Sequence, residues 1–269
     1  MRRRFSYIVL GLLFSSSWVA AQLNSTDAPR LFDQAMNALT GVGPSHNNQV
    51  AVDYLRRSAD LGYAPAQVAL GYIYETGSAA VAPQPSVAMD WYKKAAKQGD
   101  NLGAWLLGRS YLTGAGTARD LDQAATYLRK AATQGDAFGQ YLLGTVLLEK
   151  SQYADAAGWF RKAAMQGLPQ AQQQLGMLLK QGQGVAPDKS EAYVWLLLSA
   201  RAGNSAAGPD LGALEGDLGT NQTELAKSKA RELEPTVSRV VVAHGCTGWA
   251  GEFGVIPTPP PVDIQQFCR

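Results

Sequence analysis

The chain has 269 residues, 46% of them hydrophobic and 17% charged, which excludes an intrinsically disordered chain and leaves room for one large domain or an elongated array. The formal net charge is +2, but three of the 24 basic residues are Arg2, Arg3 and Arg4, and no acid precedes Gln22. From Gln22 onward 21 basic residues face 22 acidic ones, a net charge of −1. A chain that grips nucleic-acid phosphates carries a large positive excess, so nucleic acid is not an expected partner.

Residues 1–21 read as a cleavable leader. The arginines open it, "FSYIVLGLLF" (5–14) is a short apolar run, and Val19, Ala20 and Ala21 are the small residues a signal peptidase reads. Cleavage is predicted between Ala21 and Gln22, which sends the product to the periplasm or outside the cell. A membrane anchor is the alternative reading, but a spanning helix needs about 20 apolar residues. The residue immediately after the cleavage point is Gln22 and not cysteine, which argues against a lipid-attached product. No membrane span is expected after cleavage.

A repeat begins soon afterwards. "KAAKQGD" (94–100) returns as "KAATQGD" (130–136) and "KAAMQGL" (162–168). Gly62, Gly99, Gly135, Gly167 and Gly203 step by 37, 36, 32 and 36 residues, and Gly71, Gly108, Gly144 and Gly176 step by 37, 36 and 32. Two independent markers moving together mean stacked supersecondary units. Each unit reads as two helices. Leu70, Leu107, Leu143 and Leu175 share a register on the first, followed four residues on by Tyr74, Tyr111, Leu147 and Leu179. The second carries an aromatic at Trp91, Tyr127, Trp159 and Trp195, with small residues four and five places later. "ALTGVG" (38–43) and "VAVDYLRRSADLG" (50–62) make a degenerate first unit. In the fourth, "SQYAD" (151–155) replaces the glycine loop seen in "TGAGTARD" (113–120). Five units span 28–205, divided near 28–64, 65–101, 102–137, 138–169 and 170–205.

The pattern A-x-x-x-L-G-x-x-Y-x-x-G-x-G-V-x-x-D, then A-x-x-W-Y-x-K-A-A-x-Q-G, resembles the Sel1-like repeat family, most fully in "LLKQGQGVAPDKSEAYVWLLLSARAGN" (178–204). The resemblance covers about two-thirds of the chain. It implies an all-α, right-handed α/α solenoid of helix-turn-helix repeats, tetratricopeptide-like in build, that binds or scaffolds other proteins.

Residues 206–235 read as a capping pair of helices, with Thr220 as a cap of the second and Pro235 as its end. Glu224, Lys227, Lys229, Arg231 and Glu232 give the open end of the stack a polar face. Residues 236–269 change character: one short strand fits "TVSRVVVAHGCTGWAGEFG", and "IPTPPPVDIQQ" is extended. The two cysteines, Cys246 and Cys268, are most simply a disulfide in an oxidising compartment. It would close a 23-residue loop and stabilise by about 3 kcal/mol in the chain-entropy picture. A metal or redox pair lacks the C-x-x-C spacing. The tail either folds back on the solenoid, stapled, or serves as a hook for a partner.

Catalytic chemistry is not visible. "GAGTARD" and "GQGVAPD" sit between helices and lack the Walker lysine, so they read as tight turns with positive φ. The only histidines are His46, in a polar loop, and His244, two residues before Cys246. No H-E-x-x-H or G-x-S-x-G is present, and the acids are scattered rather than paired on an apolar face. No cofactor or metal is expected. Secreted, cysteine-rich Sel1-like proteins described as β-lactamase-like share the repeat period, but this chain has no cysteine inside the array and no S-x-x-K at a helix start. Binding is therefore the expected function. In this architecture first helices usually line the concave groove, and the face opposite the Leu/Tyr stripe carries Val68 and Tyr72, Trp105 and Arg109, Tyr141 and Thr145, Gln173 and Met177. Each pair is spaced i,i+4, and an exposed Trp105–Tyr141 patch is the expected anchor. Packing between units is the alternative role for these eight residues. The expected partner is another protein: a toxin that the chain neutralises as an immunity protein, an envelope enzyme or a receptor. A scaffold for wall or polysaccharide assembly is the alternative, and a hydrolase the rival class.

Overall fold

The computed structural model describes residues 25–40, 48–78 and 80–244. The leader, the turn containing His46 and the tail with both cysteines lie outside the described residues, and so does the expected disulfide. Within the described residues the chain is helical and has no strand. A 3-10 turn (Ser25–Asp27) enters α1 (Ala28–Thr40). Then follow α2 (Asn48–Asp60), α3 (Ala64–Thr76), α4 (Pro85–Lys97), α5 (Asn101–Thr113), α6 (Leu121–Thr133), α7 (Ala137–Glu149), α8 (Tyr153–Met165), α9 (Pro169–Gln181) and α10 (Lys189–Arg201). A second 3-10 turn (Ser205–Ala207) leads to α11 (Gly208–His244), which breaks at Gly219 with φ 72° and ψ 169°.

Local chemistry sets these boundaries. Asp100, Asp120, Asp136 and Asp188 accept backbone N–H bonds at the starts of α5, α6, α7 and α10, satisfying donors that the first helical turn leaves without partners. Proline stands in the first turn of α3, α4 and α9, where its missing N–H costs nothing. The five glycines of the repeated phrase have φ between 80° and 94°. This left-handed conformation turns the chain from a second helix into the next unit, and glycine adopts it without Cβ strain.

Each helix packs on the next in sequence. Along the stack α3 also touches α5, and α5 touches α7, whereas successive second helices make sparser contact. The first helices α3, α5 and α7 therefore lie closer together than α4, α6 and α8 and form the inner side of the stack. α3 and α5 are buried nearly all round, whereas α4, α6 and α8 bury one face only. Leu70, Leu107, Leu143 and Leu175, the shared register, are each fully buried.

Within a unit the two helices approach closely. A Cβ placed on Gly71 would lie 2.6 Å from the Tyr92 ring; on Gly108, 2.6 Å from Leu128; on Gly144, 2.7 Å from Phe160; on Gly176, 2.7 Å from Leu196. Between units the small residues are the phrase's own alanines. Cβ atoms on Gly103 and Gly139 would meet Ala95 and Ala131 at 2.7 and 2.9 Å. Beside that contact Gln67, Gln140 and Gln172 donate to the carbonyls of Ala59, Ala132 and Ala164. Gln98 and Gln166 of the phrase donate in turn to Gln67 and Gln140, both at 2.8 Å. In "TGAGTARD" and "LKQGQGVAPD" Gly114, Gly116, Gly182 and Gly184 have positive φ, as expected of turns. The shortened fourth unit instead places Ser151 at φ 59°.

The C-terminal end differs from expectation in one respect. α11 is indeed two helical segments meeting at Gly219, but the second passes through Pro235 and runs to His244 instead of stopping. Residues 236–244 are helical, not a strand. A proline removes one N–H, not the apolar contact: Ala226, Ala230 and Val237 lie buried on one face of this segment, and that face continues across Pro235. The pair is anchored by Lys180 to Asp210 (2.9 Å), Lys189 to Asp217 (2.7 Å), Arg201 to Glu234 (2.8 Å) and the Tyr193 hydroxyl to Glu215 (2.6 Å).

The glycine contact gives a paired prediction. Gly144→Ala drives a methyl into the rigid Phe160 ring and is expected to lower unfolding free energy by about 2 kcal/mol in urea titrations. Gly158→Ala in α8 meets nothing within 4 Å and is expected to raise it by about 0.5–1 kcal/mol through helix propensity.

Candidate protein-binding surface

The eight residues expected to line the groove fall into two groups. Val68, Tyr72, Trp105 and Arg109 are buried, at 1%, 2%, 6% and 6% exposure. Tyr141, Thr145, Gln173 and Met177 are half-buried. The expected exposed Trp105–Tyr141 patch is thus not formed. Trp105 meets Phe138 of the next unit edge-on at 6.3 Å, and Tyr141 leans on Phe160 at 5.9 Å. The physical reason is that a first helix is enclosed by its own second helix, the preceding one and the neighbouring first helices. It has no fully free face.

Arg109 is held by a buried network. Its Nη2 donates to Glu75 Oε1 at 2.5 Å, the Tyr92 hydroxyl donates to Glu75 Oε2 at 2.7 Å, and the guanidinium lies 5.2 Å from the Trp105 ring centre. Glu75 and Tyr92 belong to the second unit and Arg109 and Trp105 to the third, so the network joins two repeats. Burial, and then the Glu75 carboxylate, push the Tyr92 hydroxyl well above the ordinary tyrosine range. Asn101 Oδ1 and Trp105 Nε1, one turn apart on α5, are buried without a hydrogen-bond partner.

The half-buried group follows on along the inner side. Thr145 Oγ1 donates to the Tyr141 carbonyl at 3.1 Å, so its hydroxyl is satisfied within the helix. Gln173 Oε1 accepts from Asn204 at 3.0 Å. Burial raises the Tyr141 hydroxyl pKa. The partners of Arg109 are not marked by any motif. The signal was register: Glu75 stands where the next two units have Leu112 and Leu148, and Tyr92 where they have Leu128 and Phe160. Among the described residues no group of three or more His, Cys, Asp or Glu is placed to hold a metal ion. No helix there is long and apolar enough to cross a membrane.

Removing one member of a buried ion pair leaves the other uncompensated. Arg109→Met is expected to cost about 3 kcal/mol, and Arg109→Met with Glu75→Gln less than the two changes summed, read by urea unfolding as a double-mutant cycle. Raising the folded-state pKa of Tyr92 stabilises the neutral hydroxyl. That stability is complete below the unfolded value near about pH 10 and is lost as pH rises past it. Tyr92→Phe is therefore expected to unfold less steeply between about pH 9 and 11 than the parent.

The comparisons agree with this architecture. The Sel1 repeat pattern matches residues 35–63, 64–100, 102–136, 137–168 and 169–204. Chitin synthase regulatory factor 3 of Schizosaccharomyces pombe is 30% identical over 197 residues, covering 72% of this chain and 18% of that protein. Chitin synthase regulator SKT5 of Saccharomyces cerevisiae is 34% identical over 158 residues, covering 59% and 18%. The chain thus spans about a fifth of the length of these curated relatives. Among solved structures, c5321, a protective antigen of uropathogenic Escherichia coli strains with an SLR fold, aligns with a TM-score of 0.67 and 27% identity over 87% of this chain and 49% of that one. A Sel1 repeat protein from Oxalobacter formigenes aligns with a TM-score of 0.62 and 25% identity over 76% and 87%. With five matched repeats across more than half of its length, the chain belongs to the Sel1 repeat family, whose members mediate protein–protein interaction.

Proposed function

We propose that the protein is an exported adaptor that binds a protein partner along the inner side of the stack. One observation carries this reading. At fixed register the inner positions change from unit to unit, through Val68, Trp105, Tyr141 and Gln173, and through Tyr72, Arg109, Thr145 and Met177. The packing glycines at the neighbouring register do not change. The glycine contact needs constancy; the positions that vary and also reach the surface, Tyr141, Thr145, Gln173 and Met177, suit recognition. The accessible part of this surface is the half-buried strip formed by Tyr141, Thr145, Gln173 and Met177. The leader-like residues 1–21 support a location in the periplasm or outside the cell. Neutralising a secreted toxin is the narrower form of this reading, and it rests on export together with a rigid, non-catalytic scaffold.

A second reading has its own support. Two relatives at 30% and 34% identity are chitin synthase regulators. By that likeness the partner is an envelope enzyme that makes wall polysaccharide, and the chain positions or regulates it.

Affinity capture from envelope extract with the chain starting at Gln22, followed by mass spectrometry, tests both readings. A partner bound by the parent and weakened about tenfold or more by Tyr141→Ala with Met177→Ala, in a variant that circular dichroism shows to be folded at the assay temperature, is the expected result. A toxin among the captured proteins favours neutralisation, and a glycan synthase favours the scaffold. Turnover of a chromogenic β-lactam or of peptidoglycan by the pure protein would falsify the adaptor reading.

A further inference from the structure

The second helices carry a repeated feature that packing does not require. Lys94 Nζ lies 3.5 Å from the Trp91 ring centre, Lys130 Nζ 5.3 Å from Tyr127, and Lys162 Nζ 3.9 Å from Trp159. Arg57 repeats the arrangement more loosely over Tyr54, at 6.0 Å. The three lysines are exposed and their rings half-buried. Among the described residues none of the three has a carboxylate within ion-pair distance, although Arg119, Lys150, Arg161, Lys180, Lys189 and Arg201 are all paired. Lys93, Lys97 and Arg129 stand beside them, also without ion pairs, and add to the same stripe. The acids of α4, α6 and α8 are Asp90, Asp122 and Asp155. Asp122 is engaged by Lys150, Asp155 lies in the first turn of α8, at the end opposite the lysines, and Asp90, exposed one turn before Lys94, is the acid nearest to the stripe in sequence. A chain that is near neutral as a whole therefore keeps a row of uncompensated positive charge on its outer side.

Seating a cation on a ring orders the side chain without neutralising it. A salt bridge would order it too, but would consume the charge. Surface dipole complementation explains a lysine near a helix C-terminus. It does not explain why the three lysines at one register each sit on an aromatic ring rather than in an ion pair. We propose that this stripe, Lys94, Lys130 and Lys162 on their rings, docks an extended acidic segment of a protein partner. The proposal rests on the protein-binding reading above and supplies the chemistry of a second contact on the outer side.

The spacing gives the segment a pattern. Packed helices lie about 8–10 Å apart, and Arg161 of α8 reaches Glu191 of α10 directly at 2.6 Å, so the outer faces of successive second helices are within side-chain reach. An extended chain advances about 3.3 Å per residue. One lysine per unit thus matches a carboxylate at every third residue. A protein segment fits better than a nucleic acid, given the net charge of −1 beyond the leader.

The test uses the full chain from Gln22 and fluorescent peptides in anisotropy titrations. One peptide has glutamate at every third position; another has the same composition with its glutamates contiguous. Expected is binding of the spaced peptide that weakens with salt, loses about tenfold or more in Lys94→Glu/Lys130→Glu/Lys162→Glu, and is kept by Lys229→Glu/Arg231→Glu on α11. Trp91→Leu with Trp159→Leu is expected to weaken binding severalfold while the lysines remain. Circular dichroism melts establish that each variant is folded. No binding, equal binding of both peptides, or binding indifferent to the triple reversal overturns the proposal. Preferential binding of polygalacturonate overturns it in favour of an anionic glycan. The same triple variant in the affinity capture separates the two readings: a partner retained by it but lost by Tyr141→Ala with Met177→Ala sinks the outer stripe alone.

Discussion

The structure depends on the contact between one glycine and one large side chain in each unit from the second to the fifth. Gly71, Gly108, Gly144 and Gly176 let a first helix approach its second helix so closely that a methyl group has no room. The large partner is free to vary among Tyr92, Leu128, Phe160 and Leu196, because a bulky group of several shapes can cover a bare backbone. The glycine is not free. This asymmetry explains why the period is written in glycines and not in the residues that cover them.

Choosing tyrosine over leucine at one such position has consequences that run through four residues. Tyr92 brings a hydroxyl into a dry site, and a buried hydroxyl needs a partner. Glu75 supplies it, where the next two units have leucine. A partly buried carboxylate is then matched by a cation, and Arg109 reaches back from the next unit. The guanidinium in turn lies beside the Trp105 ring. Arg109 and Trp105 thus answer a packing choice one repeat away. They are not the anchors of a partner site, and their large, polar-tipped character came from this chain of compensation.

The unit, its length and its closing glycine were legible in the sequence because two markers stepped together and each has a single physical reading. The groove was legible only in part. An i,i+4 argument assigns residues to faces of one helix, but it cannot say whether a face is free. "AQVALGYIY" and "GAWLLG" have apolar residues on every side, and that is the mark of an enclosed helix. Read so, Val68 and Trp105 belong to the interior, while Gln173 in the more polar α9 does not. Pro235 misled for a related reason. A proline weighs against helix locally, but the buried register of Ala226, Ala230 and Val237 is a tertiary effect, and it outweighs one lost hydrogen bond.

The two sides of the stack therefore follow different rules. Inside, position by position, the side chains differ, and each difference is fixed in place by stiff packing. Such a surface suits a partner whose own shape is irregular, a folded protein. Outside, the same ring and the same cation return with each unit from the second to the fourth. A periodic surface gains affinity by adding equal, weak contacts along its length, and this favours a ligand that is itself extended and periodic in charge. Because neighbouring units meet through small residues at a shared register, with a glutamine bond at three of the four junctions, the spacing of the outer cations is set by the interior. The constancy that makes the phrase uninformative about the inner ligand is what makes it informative about the outer one.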